Sequence, residues 1–207
     1  MHIEFKQAGK RFNRDWIFRR LNFSFHSGKS YVILGGNGSG KSTLLKAALA
    51  YAPLSEGEVS FYSGDEQVKQ EGIYKYFSFC SPYMELYEEL SLKELVKFHS
   101  SLKPLRGKID VNEFIAQIEL ERAAEKPVKF FSSGMKQRVR IGLAILSDTE
   151  CILLDEPVSN LDRNGVNWYQ KLIRSEIKGR TILVASNHTE NEYFFCEEKL
   201  NIEDYKK

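Results

Sequence analysis

Gly35-Gly36-Asn37-Gly38-Ser39-Gly40-Lys41-Ser42-Thr43 is the stretch that decides the fold. It fits G-x-x-x-x-G-K-[ST], a pattern that means a phosphate-cradling loop when it follows a strand and opens a helix. Both conditions hold here. Tyr31–Leu34, just before it, is a continuous apolar run, as expected of a strand covered on both faces. Ser42–Tyr51, just after it, carries Leu44, Leu45, Ala48 and Leu49 at helical spacing. Glycines let the backbone curl until successive N–H groups face inward on a phosphate chain, and the helix adds the positive end of its dipole. Lys41 is expected to reach the β- and γ-phosphates and the Ser42 hydroxyl to ligate Mg²⁺. The nine residues from Gly35 to Thr43 are therefore the candidate nucleotide-binding loop.

A second apolar run, Cys151-Ile152-Leu153-Leu154, ends in Asp155-Glu156-Pro157. Adjacent strand residues point to opposite sides, so the two carboxylates are free to do different work. Asp155 is expected to hold Mg²⁺, and Glu156 to polarise an attacking water as general base. A third run, Thr181–Ser186, ends in Asn187-His188. Each run leads into a polar or glycine-containing turn, where open α/β sheets place their ligands. Before the second run, Met135, Val139, Gly142, Leu143 and Leu146 recur at helical spacing. The expected fold is α/β: a P-loop nucleoside-triphosphatase core with a mostly parallel sheet.

Residues 1–28 and 55–80 hold alternating aromatic stretches, such as Leu21-Asn22-Phe23-Ser24-Phe25 and Glu58-Val59-Ser60-Phe61-Tyr62. They predict an antiparallel β subdomain beside the core. Between Tyr83 and Pro127 the period turns helical, with Leu92, Leu95, Val96 and Phe98, then Phe114, Ile115 and Ile118. This predicts a helical insertion at about residues 83–127 within one domain spanning 1–207.

Bulk composition narrows the class further. The chain has 207 residues, 42% of them hydrophobic, and a chain of that length buries roughly 70% of its unfolded surface without a disulfide or metal staple. Thirty basic and 28 acidic residues leave a net charge of +2. No basic stripe stands out, so no nucleic-acid partner is expected. The three cysteines show no Cys-x-x-Cys spacing, and Cys80 and Cys151 fall in apolar runs, which fits reduced thiols in a reducing compartment. The N-terminal Met1–Lys6 alternates like a strand and carries no signal-peptide core. No apolar run approaches the ~20 residues of a membrane span. Any membrane association is expected to come through a partner.

At Phe131-Ser132-Ser133-Gly134-Met135-Lys136-Gln137-Arg138 the chain resembles the ATP-binding-cassette ATPases, and the resemblance covers nearly all of it. The family's signature is usually Leu-Ser-Gly-Gly-Gln; Ser132 and Gly134 match, while Phe131, Ser133 and Met135 depart. The resemblance implies that Ser132–Met135 serve the γ-phosphate of an ATP held by another copy, from a helix N-terminus. It likewise makes Ser159-Asn160-Leu161-Asp162 the D-loop and His188 the switch histidine, which holds the γ-phosphate and orients water beside Glu156. Lys41, Glu156 and His188 form the expected catalytic set. Phe12 falls where the family stacks an aromatic on adenine, with Trp16 as a nearby rival. One element is missing. The family normally carries a Gln after the strand that enters the helical insertion, but here the stretch reads Phe79-Cys80-Ser81-Pro82-Tyr83-Met84. Ser81 or Pro82 occupies the place, which puts the usual Mg²⁺ and sensor contact in doubt.

Taken over, the resemblance implies ATP and Mg²⁺ as cofactors and a head-to-tail pair with a second copy or a paralogous ATPase subunit. It also implies a separate integral membrane transport subunit, contacted near Tyr83, Tyr87 and Phe98. The location implied is cytoplasmic, peripheral at the inner face of the cell membrane. Its size, single cassette and short stretch after His188 are similar to small exporter subunits. Two alternatives stand beside this: a soluble ABC ATPase outside transport, and a nucleotide-sensing module with little hydrolysis. A small GTPase fits poorly, since no Asn-Lys-x-Asp motif is present.

Overall fold

A computed structural model describes residues 1–206; Lys207, the last residue of the expected domain, lies outside them. Two sheets organise the chain. Strands β1 (His2–Phe12), β2 (Asp15–Phe25), β4 (Glu56–Ser63) and β5 (Glu66–Gln67) form an antiparallel sheet in the order β2-β1-β4-β5. Strands β3 (Ser30–Leu34), β6 (Phe77–Cys80), β7 (Cys151–Asp155), β8 (Thr181–Ser186) and β9 (Glu198–Asn201) form a second sheet, parallel throughout, in the order β6-β7-β8-β3-β9. The three apolar runs are thus its three central strands.

Every residue of β7 and β8 is buried, because both faces of the parallel sheet are covered. Alternation along each strand divides its side chains between two cores. Val32, Ile152, Leu154, Ile182 and Val184 enter one core, shared with the helical region through Leu92, Val96 and Phe114. Tyr31, Ile33, Leu153, Leu183 and Ala185 enter the other, closed by helix α1 (Lys41–Ala48) and by Ile3, Phe5 and Phe25 of the antiparallel sheet.

Two strands depart from the expected layout. Residues 55–80 do not all join the antiparallel sheet: β6 pairs with β7, Phe77 opposite Cys151, at the edge of the parallel sheet. Its Phe-Ser-Phe-Cys alternation suits either sheet, and the pairing is settled by where the chain returns in space. Strand β9 buries only Leu200, so it offers too little apolar pattern to be seen in the sequence.

The helical region carries α2 (Leu92–Leu102) and α3 (Val111–Gln117), each opened by a capping box, Ser91 with Glu94 and Asp110 with Glu113. Such caps satisfy orphan N–H groups at the first turn. Ser91 bridges to Pro127, closing the segment on itself. Helix α4 (Ser133–Ile145) runs back toward β7 and buries Val139, Ile141, Leu143 and Ile145. Helix α5 (Arg163–Glu176) links β7 to β8, and the short α6 (Glu190–Tyr193) follows β8. The result sets the C-terminal ends of β3, β7 and β8 side by side. Cys80 and Cys151 carry free, buried thiols, which burial pushes up to about 12.

Candidate functional site

A cavity of ≈ 350 Å³ opens at those strand ends. Asn37, Gly38, Gly40, Lys41, Ser42 and Thr43 line one side, Asp155 and Glu156 another. The loop and the carboxylate pair, more than a hundred residues apart in sequence, therefore meet in one place. The loop's curl depends on glycine where side chains cannot fit. Gly40 has φ 107°, and a Cβ there would lie 2.3 Å from Cγ2 of Ile17. A Cβ on Gly35 would lie 2.4 Å from the Ser39 hydroxyl.

Lys41 is buried, and its ammonium donates to the Gly35 and Gly36 carbonyls, both at 3.0 Å. The cation is held folded over the loop it belongs to. Asp155 is buried at the end of β7. Burial raises its carboxyl above the ordinary range, while the Ser42 hydroxyl beside it pulls the other way. Glu156, the next residue, adopts a left-handed backbone with φ 44°, and its N–H donates to the Ala185 carbonyl of β8 at 3.0 Å. That conformation is uncommon for a residue with a side chain and marks a constrained turn.

Buried polar atoms are nearly always hydrogen-bonded, so exceptions point to something absent from the fold itself. Among the described residues, the three buried side-chain atoms without a partner are Ser39 Oγ, Asp155 Oδ1 and Ser159 Oγ. They belong to the loop, the carboxylate pair and the turn after it. Oxygen donors of this kind, a carboxylate beside a hydroxyl, suit Mg²⁺, which takes one or two protein oxygens and keeps waters and phosphates for the rest. The residues present fit that ion.

His188 is exposed and does not line the cavity, but its neighbour Asn187 donates to Asn37 Oδ1 at 2.9 Å, tying its turn to the phosphate loop. The backbone of His188 is left-handed, φ 57°. Beneath it, the Ser186 hydroxyl accepts from the Thr189 N–H at 3.1 Å and donates to Glu192 Oε2 at 2.5 Å. Glu192 is buried, and desolvation raises its carboxyl to about 7 against the lowering pull of Ser186, with the nearby Glu156 raising it further.

The other expected residues lie elsewhere. Ser132 is exposed and caps α4, its hydroxyl accepting from Met135 N–H at 3.2 Å. Ser133 is exposed, Gly134 abuts the Asn160 carbonyl, and Met135 packs partly on the core. None of the four lines the cavity. Asp162 caps α5, accepting from Gly165 N–H at 2.7 Å. Phe12 sits at the β1–β2 hairpin tip, 54% exposed, with the Lys10 ammonium 5.0 Å from its ring centre. The Trp16 ring is flanked by Arg19 at 4.5 Å and Arg11 at 5.5 Å. Neither aromatic is part of the cavity wall; Ile17, between them and Gly40, is. Pro82 and Tyr83 line it too. Ile17, Tyr83 as a wall of this cavity, and Glu192 are residues that sequence reasoning missed. Only the gap at the expected Gln hinted at any of them.

A second, larger groove of ≈ 660 Å³ lies beside the first, lined by Tyr51, Tyr74, Phe79, Met84, Tyr87, Phe98 and Leu102 among others. Several of these apolar groups are exposed, and Tyr83, at 90% exposure, lines this groove as well as the cavity.

Known proteins resemble this chain in sequence and in fold. A family model described as ABC transporter matches residues 18–159. An uncharacterized ABC transporter ATP-binding protein of Bacillus subtilis, YybJ, is 29% identical over 196 residues, covering 94% of this chain and 89% of its own length. The lantibiotic transport ATP-binding protein SrtF of Streptococcus pyogenes is 27% identical over 191 residues, covering 89% of this chain and 80% of SrtF. Among solved structures, a putative ABC transporter ATP-binding protein of Pyrococcus furiosus superposes with a TM-score of 0.82 at 22% identity over the full length of both chains. The ATP-binding cassette MJ0796, solved as a dimer bound to ADP and Pi, gives a TM-score of 0.81 at 24% identity, covering 97% of this chain and 95% of its own. With a family match that runs from within β2 to the turn after the carboxylate pair, this chain belongs to the ABC transporter family, as an ATP-binding ATPase component.

Proposed function

We propose that the chain binds Mg·ATP at the cavity and hydrolyses it within a head-to-tail pair, driving export through a separate membrane subunit. The observation that carries this reading is the composition of the cavity wall: phosphate loop, Asp155 and Glu156 converge, while Ser132–Met135 stay outside it. One copy supplies half of a nucleotide site and, on another face, the half that its partner needs. The family resemblance and the dimeric MJ0796 structure support that arrangement.

In this reading Gly35–Thr43 wrap the triphosphate, with Phe12 on the adenine side, and Lys41 leaves its two carbonyls to pair with phosphate oxygens. Ser42 and Asp155 would hold Mg²⁺, which supplies charge neutralisation to the phosphates when bound. Glu156 takes a proton from the attacking water, and His188 holds the γ-phosphate and orients that water. Ser132, Ser133, Gly134 and Met135 of the second copy, with Asp162 near the same junction, close the site. Loss of the γ-phosphate removes contacts made only in the closed pair, so the interface opens.

Ser132 tests the pairing. Its hydroxyl caps α4, so Ser132→Ala costs about 1 kcal/mol of stability without touching the copy's own cavity. Expected is retained ATP binding with loss of the steep dependence of turnover on protein concentration. Unchanged cooperativity in a concentration series sinks the trans arrangement.

The aromatic groove suits an apolar helix of a membrane subunit, and residues 83–127 form most of the helical part that lines it. Tyr83 faces both this groove and the nucleotide cavity, so whatever fills the groove touches a residue in contact with the site. Tyr83→Ala is expected to leave ATP affinity within about threefold and to abolish stimulation by the cognate membrane subunit co-expressed in the same vesicles. Full stimulation in the variant removes Tyr83 from that link.

A further inference from the structure

Hydrolysis at this site needs Glu156 and His188 held in fixed relation to each other. Both stand on left-handed backbone, φ 44° and 57°, a conformation that persists for such residues only where the surroundings over-determine it. Glu156 is partly secured by its N–H bond to Ala185. His188 is exposed, and no side-chain hydrogen bond of its own anchors it among the described residues.

What secures its turn lies underneath. Ser186, the last residue of β8, is fully buried. Its hydroxyl accepts from Thr189 N–H and donates to Glu192 Oε2, at 3.1 and 2.5 Å. Glu192 N–H in turn donates to the Thr189 carbonyl at 2.9 Å. The chain from Ser186 to Glu192 is thus stitched into a closed loop with His188 at its outer tip. Glu192 also reaches beyond this loop. Its carbonyl accepts from the Tyr169 hydroxyl of α5 at 2.8 Å. The residue is 3% exposed, and its carboxyl lies against the Val158 main chain in the turn that follows Glu156. Two segments that bear on the reacting atoms meet at this one side chain, the His188 turn and the turn after Glu156, while the main chain of Glu192 ties in the helix after the D-loop. Burying a carboxyl there is costly unless its partners are in place, and neighbouring Glu190 points to solvent instead.

We propose that Glu192 is a positioning residue for hydrolysis, setting His188 against Glu156 through Ser186 and the Val158 turn without touching nucleotide. The inference rests on the ATPase reading above. It differs from a packing role in what it predicts: nucleotide binding, made by the phosphate loop, stays intact while the chemical step suffers.

The experiment compares Glu192→Ala, Glu192→Gln and Ser186→Ala in the full chain, with Kd for Mg·ATP, kcat, KM and thermal melting measured together. Glu192→Ala is expected to lower kcat by roughly 10- to 100-fold with Kd and KM within about threefold, the signature of an interaction that matters in the transition state. Glu192→Gln keeps an acceptor for the Ser186 hydroxyl and is expected to retain at least a third of wild-type kcat. Ser186→Ala removes the same link from the other side with a single atom deleted, so it tests the idea even if Glu192→Ala folds poorly. The double variant should be no slower than the worse single one, as for two residues acting as a unit. A Glu192→Ala or Ser186→Ala protein with kcat within twofold of wild type overturns the proposal. So does a loss of kcat matched by an equal loss of ATP affinity or by the same loss in Glu192→Gln. If the wild-type chain binds ATP but never turns it over, the ATPase reading itself fails, which is a separate outcome.

Discussion

Glu156→Gln is expected to leave Mg·ATP affinity within about twofold and to slow turnover by roughly 10²–10⁴-fold, the usual worth of a positioned general base. The substitution is close to isosteric. Glu156 is only partly buried, so losing its charge disturbs little of the fold. Its backbone stays tied by the N–H bond to Ala185 at 3.0 Å, and its left-handed φ of 44° remains available to Gln at the same cost. What disappears is a carboxylate able to take a proton from water. Asp155, one residue back, cannot take over, because it is buried at the foot of the cavity beside Ser42. Phosphate release under single-turnover conditions, beside calorimetry with ATP, checks both halves. Near-normal release removes Glu156 from the role of base.

Lys41→Ala is expected to weaken ATP binding by roughly a hundredfold, about 3 kcal/mol, as for truncating one partner of a buried charge pair. The geometry sets a bound on this. Within the loop the ammonium already has two acceptors, the Gly35 and Gly36 carbonyls at 3.0 Å, so binding exchanges two neutral acceptors for anionic ones rather than satisfying a bare cation. The gain is the difference between charge-assisted and ordinary hydrogen bonds, summed over the phosphate oxygens reached. The variant also frees those carbonyls in a loop whose curl is otherwise fixed by glycine. A fluorescent ATP analogue measures the affinity directly, with melting to confirm an intact fold. Binding within threefold of wild type means that Lys41 does not face the phosphates.

Much of this site is legible before any coordinates. The phosphate loop is contiguous and acts largely through its own backbone, so nine consecutive residues disclose both its shape and its ligand. The strands that carry the carboxylates and the histidine read as apolar runs because their sheet is covered on both faces. The resemblance at Ser132 and Gly134 implies a second copy, and neither residue lines the cavity.

Other residues left no such mark. Ile17 alternates in a strand like its neighbours, yet it packs against the loop where Gly40 turns. β6 and β9 joined the parallel sheet although neither carries a long apolar run, because edge strands are covered on fewer sides. Glu190 and Glu192 look alike in sequence, and one is solvated while the other is buried beneath the His188 turn.

From its residues alone this chain could be known as a phosphate-loop nucleotide binder with a parallel core, since those features reside in short runs whose chemistry is local. The sharing of Tyr83 between nucleotide cavity and aromatic groove emerged with the folded chain, as did the burial of Glu192 between the His188 turn and the turn after Glu156. Such relations are set by how sheet and helices close on each other over long stretches of chain, and no local pattern carries them.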